Sequence, residues 1–405
     1  MVYIRQKDLP KLHQYKYQGV DHSLVSKYIL KPFYGNVAIK FFPMSMAPNA
    51  ITLSGFAFVV INFLTVLWYN PTLDQDMPPW VYASMAVGLF LYQTFDALDG
   101  QQARRTKQSG PLGELFDHGV DALNVVLEVV LFAATMNLGQ GWKTIAVLFG
   151  CAFTFYVQTW EEYYTQTLTL GVVSGPVEGV LTLCMTYAIT AYVGRGSFWA
   201  QSAMKTMGIP EYPWIPKVVY EMPFNEGWMY FGAAILTFNL IQCAINVNNA
   251  QKKPAPHTKD HFSPLWNLAP AISTWIAVPL YLWLQPTILY EHIVPFVVYV
   301  GIINAYSVGK IIVAHLVKSK KFPITNSLLI PLWVGVADSI GPKLGLWPSV
   351  LGSGVYQIAF MFSCLGLAVG VHGSFIYDCI TTVCDYLDIW CLTIKHPKTD
   401  EKKDL

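Results

Sequence analysis

Residues 96–121 read DALDGQQARRTKQSGPLGELFDHGVD and hold four aspartates, Asp96, Asp99, Asp117 and Asp121. The first two are three residues apart and the last two four apart, so on helices each pair projects from one face. Two such pairs facing each other present four hard oxygen ligands and a large uncompensated negative charge. A divalent cation relieves that charge, and all-carboxylate ligation suits Mg²⁺, with Mn²⁺ able to substitute. Apolar runs flank the stretch, PWVYASMAVGLFLYQTF before it and NVVLEVVLFAATM after it. Acidic groups bordering a bilayer are costly to keep and mark function.

The elements that must position these acids are membrane helices. The chain has 405 residues, of which 54% are hydrophobic and 13% charged, and its mean hydropathy is +0.39. A soluble chain of this length cannot hide so much apolar surface. Ten apolar stretches recur, each near the ~20 residues that a spanning helix requires. They run over about 49–69, 79–98, 114–137, 143–164, 176–194, 227–249, 264–284, 288–315, 325–340 and 353–380. The ninth is short and carries Asp338. The expected fold is therefore all-α and polytopic, with about ten transmembrane helices. The first 22 residues are polar and lack the apolar core of a cleavable signal peptide. The segment from about 23 to 41, SLVSKYILKPFYGNVAIKF, mixes aromatic, aliphatic and Lys residues and suits an interfacial helix.

An even number of spans puts both termini on one side. If that side is cytosolic, it holds 21 of the 26 Lys and Arg residues, in agreement with the positive-inside rule. Only Lys143, Arg195, Lys205, Lys217 and Lys343 fall opposite. The aspartates then lie at the cytosolic ends of spans two and three, with residues 101–112 as the loop between them. The seven cysteines lack paired spacing and read as small apolar residues. A net charge of +1 gives no reason to expect a nucleic-acid partner.

The full pattern is D-x-x-D-G-x-x-A-R, eight residues, then G-x-x-x-D-x-x-x-D. It resembles the signature of the CDP-alcohol phosphotransferase family of integral membrane enzymes. Asp96, Asp99, Gly100, Ala103, Arg104, Gly113, Asp117 and Asp121 match every defining position. The words YQTFDALDG, QARRT and PLGELFDHG look like the eukaryotic choline and ethanolamine phosphotransferases of that family. WEEYYTQTL and SGPVEG look like its fungal members. The resemblance implies transfer of phosphocholine or phosphoethanolamine from a CDP-alcohol to diacylglycerol, forming phosphatidylcholine or phosphatidylethanolamine and CMP. It implies metal binding by Asp96, Asp99, Asp117 and Asp121, with Asp121 sharing the metal, acting as base for the lipid hydroxyl, or both.

Physical chemistry agrees with that implication. Gly100 and Gly113 have no side chain, so a nucleotide or phosphate can approach the backbone. Ala103 keeps the same face narrow. Arg104 can make a bidentate contact with phosphate oxygens, and Arg105 and Lys107 can draw in an anionic nucleotide. The same three cations also satisfy the positive-inside rule. The word MAPNAITLSG holds Pro48, Asn49 and Thr52, which by resemblance help to form the nucleotide pocket. Asn49 can equally cap the first span.

Further acids extend the set. Asp117, Asp121, Asn124 and Glu128 form a stripe on one face of the third span, Glu128 lying roughly 10 Å deeper than Asp121. Glu161, Glu162 and Glu178 return to the side of the aspartates and are alternative proton acceptors, or ordinary surface acids. Asn239, Gln242, Asn246 and Asn249 share a face of the sixth span and suit helix–helix contacts. Asp338, His372 and Asp378 read as structural. Lys402 and Lys403 stand third and fourth from the last residue, like a cytosolic dilysine ER-retrieval signal.

The expected organisation is a cytosolic segment and interfacial helix over 1–42, a catalytic membrane core over 43–195 and a lumenal loop over 196–226. Transmembrane helices over 227–385 then shape a lipid chamber and a possible homodimer interface, and a cytosolic tail spans 386–405. The expected setting is the endoplasmic reticulum membrane, with the site facing the cytosol and diacylglycerol entering from the surrounding lipid. Another head group on the same fold is one alternative. A cation-coupled transporter is another, although transporters more often place their acids deep in the bilayer on broken helices.

Overall fold

The computed structural model describes residues 3–15, 18–21, 23–170, 176–252, 254–255, 258 and 263–396. The Lys402–Lys403 signal, and Lys16, Lys253, Lys259 and Lys398 of the charge count, lie outside the described residues.

Residues 24–41 form the expected surface helix. It contains one wide turn, Ser26–Leu30, followed by α1, Lys31–Asn36, and a tight turn, Ala38–Phe41. Leu30, Tyr34 and Ala38, spaced by four, pack against Leu98 and Val177. Tyr28, Ile29 and Phe41 point outward. An amphipathic helix lying at an interface has this division of faces.

Among the described residues, ten longer helices stand at the positions of the ten apolar stretches. The first five are α2 (Pro48–Tyr69), α3 (Pro79–Arg105), α4 (Pro111–Thr135), α5 (Trp142–Thr165) and α6 (Pro176–Val193). Proline opens α2, α3 and α4, where its missing N–H has no intrahelical partner to lose. Two four-residue helices, α7 (Ala203–Thr206) and α8 (Lys217–Tyr220), lie in the loop that follows. Then come α9 (Phe224–Ala250), α10 (Ala269–Leu284), α11 (Pro286–Glu291), α12 (Ile293–Leu316), α13 (Leu329–Leu344) and α14 (Val355–Leu387). Among the described residues, Pro48–Tyr69, Phe224–Ala250, Pro264–Leu284, Ile293–Leu316 and Val355–Leu387 are long and apolar enough to cross a membrane by length and composition alone. The protein is an all-α polytopic membrane protein.

Two boundaries differ from the sequence reading. Residues 101–105 continue α3 and residues 111–112 begin α4, so the turn between the acidic pairs is only Thr106–Gly110. Polar side chains alone do not end a helix, and α3 stops where Lys107 takes a positive φ of 57°. The eighth stretch is also not one helix. It breaks at His292, whose φ of −134° separates α11 from α12.

Helix α12 is the axis of the interior and is buried along most of its length. It packs closely on α4, and a Cβ at Gly301 would meet Val126 Cγ2 at 2.3 Å. That contact fixes the depth of α4, which carries half of the acidic site.

The described loops sort to two ends. At one end, Gly19–Asp21 (β1) pairs in parallel with Leu168–Leu170 (β2). There Gln102 Nε2 donates to the carbonyls of Pro43 (2.9 Å) and Met46 (2.8 Å), and Gln108 Nε2 to that of His396 (3.4 Å). At the other end, Asp76 accepts from the Ser197 N–H (2.7 Å), Lys143 pairs with Glu226 (2.8 Å), and Asn225 donates to the Met136 carbonyl (2.9 Å). The described N- and C-terminal segments share the first end, and the Asp96–Asp121 stretch lies there too.

Candidate active site

Helix α3 continues two turns past Asp96, and α4 begins two turns before Asp117. The two helix ends therefore present their acids to each other. Asp96, Asp117 and Asp121 each bring one carboxylate oxygen within 4.8 Å of the others. An octahedral ion with bonds of about 2.1 Å separates its ligand atoms by roughly 3–4.2 Å. Asp96 Oδ1 and Asp117 Oδ1 are buried without a hydrogen-bond partner. Buried oxygens without partners are rare unless an ion or water completes them. The donor set is oxygen only and half-buried, so the residues fit a divalent cation of the Mg²⁺ type.

Two hydroxyls orient the set. Thr52 on α2 donates to Asp99 Oδ2, and Tyr92 on α3 donates to Asp121 Oδ1. Asp99 thus turns one oxygen to Thr52 and stands beside the converging trio. Thr52 belongs to the P-N-x-x-T word singled out in the sequence. Tyr92 was missed, although it precedes Asp96 by four and so continues the same helical strip.

The glycines carry a second observation. A Cβ at Gly113 would have nothing within 4 Å, and one at Gly100 would meet only the Arg104 guanidinium, at 3.7 Å. Gly100 lies inside α3, where glycine is less favourable than alanine by about 1 kcal/mol. Packing does not require glycine at either place, whereas a ligand close to the backbone would. Ala103 is half-buried on the same helix and Arg104 is exposed at its end.

Other candidates have different surroundings. Arg105 binds the entry segment through the carbonyls of Ile39 (3.0 Å) and Phe42 (2.6 Å), so this cation is a structural clasp. Asn49 donates to the Cys391 carbonyl (3.1 Å) and ties the C-terminal segment to α2. It does not cap the helix, since Ala47 holds that position. At that C-terminal segment, hydrogen bonds from Lys395 and His396 hold the exposed Asp388 carboxyl below its usual range.

The three glutamates proposed as bases do not join the aspartate trio. Glu161 accepts from Asn246 on α9 (2.7 Å). Glu162 lies 3.7 Å from His118 Nδ1. Glu178 accepts from Ser23, while its Oε2 is buried without a partner. Deeper in α4, Glu128 accepts from Tyr187 on α6 (2.8 Å). Asp338 accepts from Ser349, the Val350 N–H (2.6 Å), the Leu351 N–H (3.2 Å) and Gln357 (3.1 Å), which makes it the fastener of the α13–α14 connection. Glu114, His118 and His315 were missed. His118 stands inside the motif word itself, next to Asp117.

Fold and site together define a polytopic membrane protein with a carboxylate cluster that could hold a divalent cation where two helix ends meet. The CDP-alcohol phosphatidyltransferase family model matches residues 45–210, which include the whole cluster. Choline/ethanolaminephosphotransferase 1 of Saccharomyces cerevisiae is 39% identical, covering 98% of this chain and 99% of that protein. Cholinephosphotransferase 1 of the same yeast is 35% identical, over 98% and 99%. Choline/ethanolaminephosphotransferase 1 of Arabidopsis thaliana is 36% identical, over 97% and 99%. The chain belongs to the CDP-alcohol phosphatidyltransferase family and is an enzyme of that family.

Proposed function

We propose that this enzyme transfers phosphocholine or phosphoethanolamine from the CDP-alcohol to diacylglycerol. The observation that carries the reading is the convergence of Asp96, Asp117 and Asp121, with two buried oxygens lacking partners, beside glycines that packing does not require. Asp96, Asp99, Asp117 and Asp121 would hold Mg²⁺ or Mn²⁺. When bound, the ion screens the pyrophosphate and stabilises the departing CMP. Gly100, Gly113 and Ala103 leave room for the nucleotide along the backbone, Arg104 reaches its phosphate oxygens, and Asn49 borders the pocket. The diacylglycerol hydroxyl oxygen attacks the phosphorus that bears the choline or ethanolamine. The bond from that phosphorus to the CMP oxygen breaks, and CMP leaves with the electron pair. The hydroxyl proton passes to Asp121, which Tyr92 holds in place; Glu161, Glu162 and Glu178 are the alternatives, and Glu178 has the free oxygen.

The reading extends to the setting. Residues 43–195 form the catalytic core. The 196–226 loop is lumenal, the helices over 227–385 shape the lipid chamber and a homodimer interface, and residues 1–42 and 386–405 are cytosolic. The membrane is that of the endoplasmic reticulum, with the site open to the cytosol. The grouping of the N-terminal, 105–110 and C-terminal segments at one end supports a shared side. The test is direct. Purified protein receives CDP-choline or CDP-ethanolamine with diacylglycerol and Mg²⁺, and CMP and phospholipid are measured together. Equal amounts of both products support the reading; CMP without phospholipid, or neither, defeats it.

A further inference from the structure

A second cluster of titratable groups lies beside the aspartates and is not used by the reaction above. Glu114 opens α4, Glu162 closes α5 and His315 closes α12. One ligand atom from each lies within 4.8 Å of the other two. His315 Nε2 is 3.6 Å from Glu114 Oε1, and His118 Nδ1 is 3.7 Å from Glu162 Oε2. Both distances are too long for hydrogen bonds. Both are close to the edge of a tetrahedron around one ion, which is about 3.4 Å for bonds of about 2.1 Å.

A second observation points to a ligand. Glu114 is only 8% exposed, and its Oε1 has no hydrogen-bond partner. Its other oxygen is held by the Tyr15 hydroxyl, which covers the cluster from the N-terminal segment. On the far side of the His315 ring, Nδ1 lies 3.3 Å from Gln166 Nε2. In a metal-bound histidine the second ring nitrogen carries the proton and donates it to an acceptor. As drawn, Gln166 donates, which leaves the proton on Nε2. Metal binding moves it to Nδ1, and a half-turn of the Gln166 amide then offers its carbonyl oxygen as acceptor, in exchange for the hydrogen bond that its Nε2 donates to the Tyr163 carbonyl (2.7 Å).

We infer that Glu114, Glu162 and His315 form a second metal site, which takes Zn²⁺, with His118 or a water completing it. The mixed imidazole and carboxylate donors suit a borderline first-row ion, unlike the oxygen-only aspartates. Such an ion clamps the ends of α5 and α12 to the first turn of α4, one turn before Asp117. The inference does not depend on the substrate assigned above.

The test uses the full-length protein in nanodiscs, stripped of metal and then saturated with Mg²⁺ so that the aspartates are filled. Co²⁺ is added as a spectroscopic probe. One equivalent should develop the strong visible absorption of a four-coordinate ion, persist in Asp96→Asn, and be displaced by Zn²⁺. His315→Ala and Glu114→Gln should each weaken Zn²⁺ binding at least ~10-fold. Only the weak absorption of six-coordinate Co²⁺ in the wild-type protein would overturn the inference. So would unchanged Zn²⁺ affinity in both variants. If the variants do not fold, the wild-type spectrum decides.

Discussion

Helix α4 carries two acidic clusters on neighbouring strips, and they differ in chemistry. Asp117 and Asp121 face α3, where their partners are carboxylates and the hydroxyl of Tyr92. Glu114 and His118 face the ends of α5 and α12, where their neighbours are Glu162 and His315. The first cluster is half-buried and oxygen-only; the second is more deeply buried, mixed with imidazole and covered by Tyr15. A few residues of helical phase thus separate the cluster proposed to meet the nucleotide from the cluster proposed to fasten helices. The difference teaches that acidity alone does not identify chemistry in this membrane domain. What surrounds each carboxylate does.

The largest effect should come from breaking the first cluster. Asp117→Asn removes charge from the centre of the set, and turnover at ordinary Mg²⁺ should vanish, returning only in part as Mg²⁺ is raised. EDTA should do the same to the wild-type enzyme, and full turnover in excess EDTA would defeat the metal assignment.

Asp121 sharpens the comparison inside that cluster. Asp121→Asn should lower kcat by ~10²–10⁴, the usual range for a lost general base, while CDP-alcohol binding in Mg²⁺ persists. A near-normal kcat at saturating Mg²⁺ would pass the role of base to Glu178. Tyr92→Phe and Thr52→Val remove the hydroxyls that orient Asp121 and Asp99. Each should lower activity by ~10–100-fold, read as kcat at saturating substrate.

The two adjacent arginines should separate next. Arg104→Lys should raise KM for the CDP-alcohol with little change in melting temperature. Arg105→Ala should do the reverse, at about 1–3 kcal/mol of stability, because its charged hydrogen bonds hold the entry segment. Raised KM in Arg105→Ala, with unchanged melting, would reverse this assignment. Smallest of all should be Glu161→Gln. Its remaining oxygen still accepts from Asn246, so activity should stay within a few-fold of wild type; a loss as large as that of Asp121→Asn would return it to the chemistry.

Much of this was legible in the sequence. The ten apolar stretches and the surface helix are set by hydropathy and by the Leu30–Tyr34–Ala38 period, and the aspartates announce themselves by spacing. The break at His292 is marked in the sequence only by Glu291-His292 and by Pro295 beyond them, a signal that hydropathy averages into the apolar residues around it. The turn between the acidic pairs is shorter than polarity suggests for the opposite reason: Gln101, Gln102, Arg104 and Arg105 are polar, yet helical. The roles of Asn49 and Arg105 depend on the Cys391, Ile39 and Phe42 carbonyls, and main-chain partners brought in from elsewhere leave no mark on composition. The Glu114–Glu162–His315 cluster joins residues 201 positions apart at its widest, which only the packing of α12 on α4 and α5 brings together.

The central claim is that the converging aspartates bind a cation in contact with the nucleotide phosphates. It is tested most directly by the ³¹P NMR spectrum of CDP-choline bound to the purified protein with Mn²⁺ in place of Mg²⁺. Both phosphorus resonances should broaden strongly in the wild-type protein and in Glu161→Gln, and should remain sharp in Asp117→Asn at the same Mn²⁺ concentration. Equal broadening in wild type and Asp117→Asn, or none in the wild type while nucleotide is bound, would contradict the account.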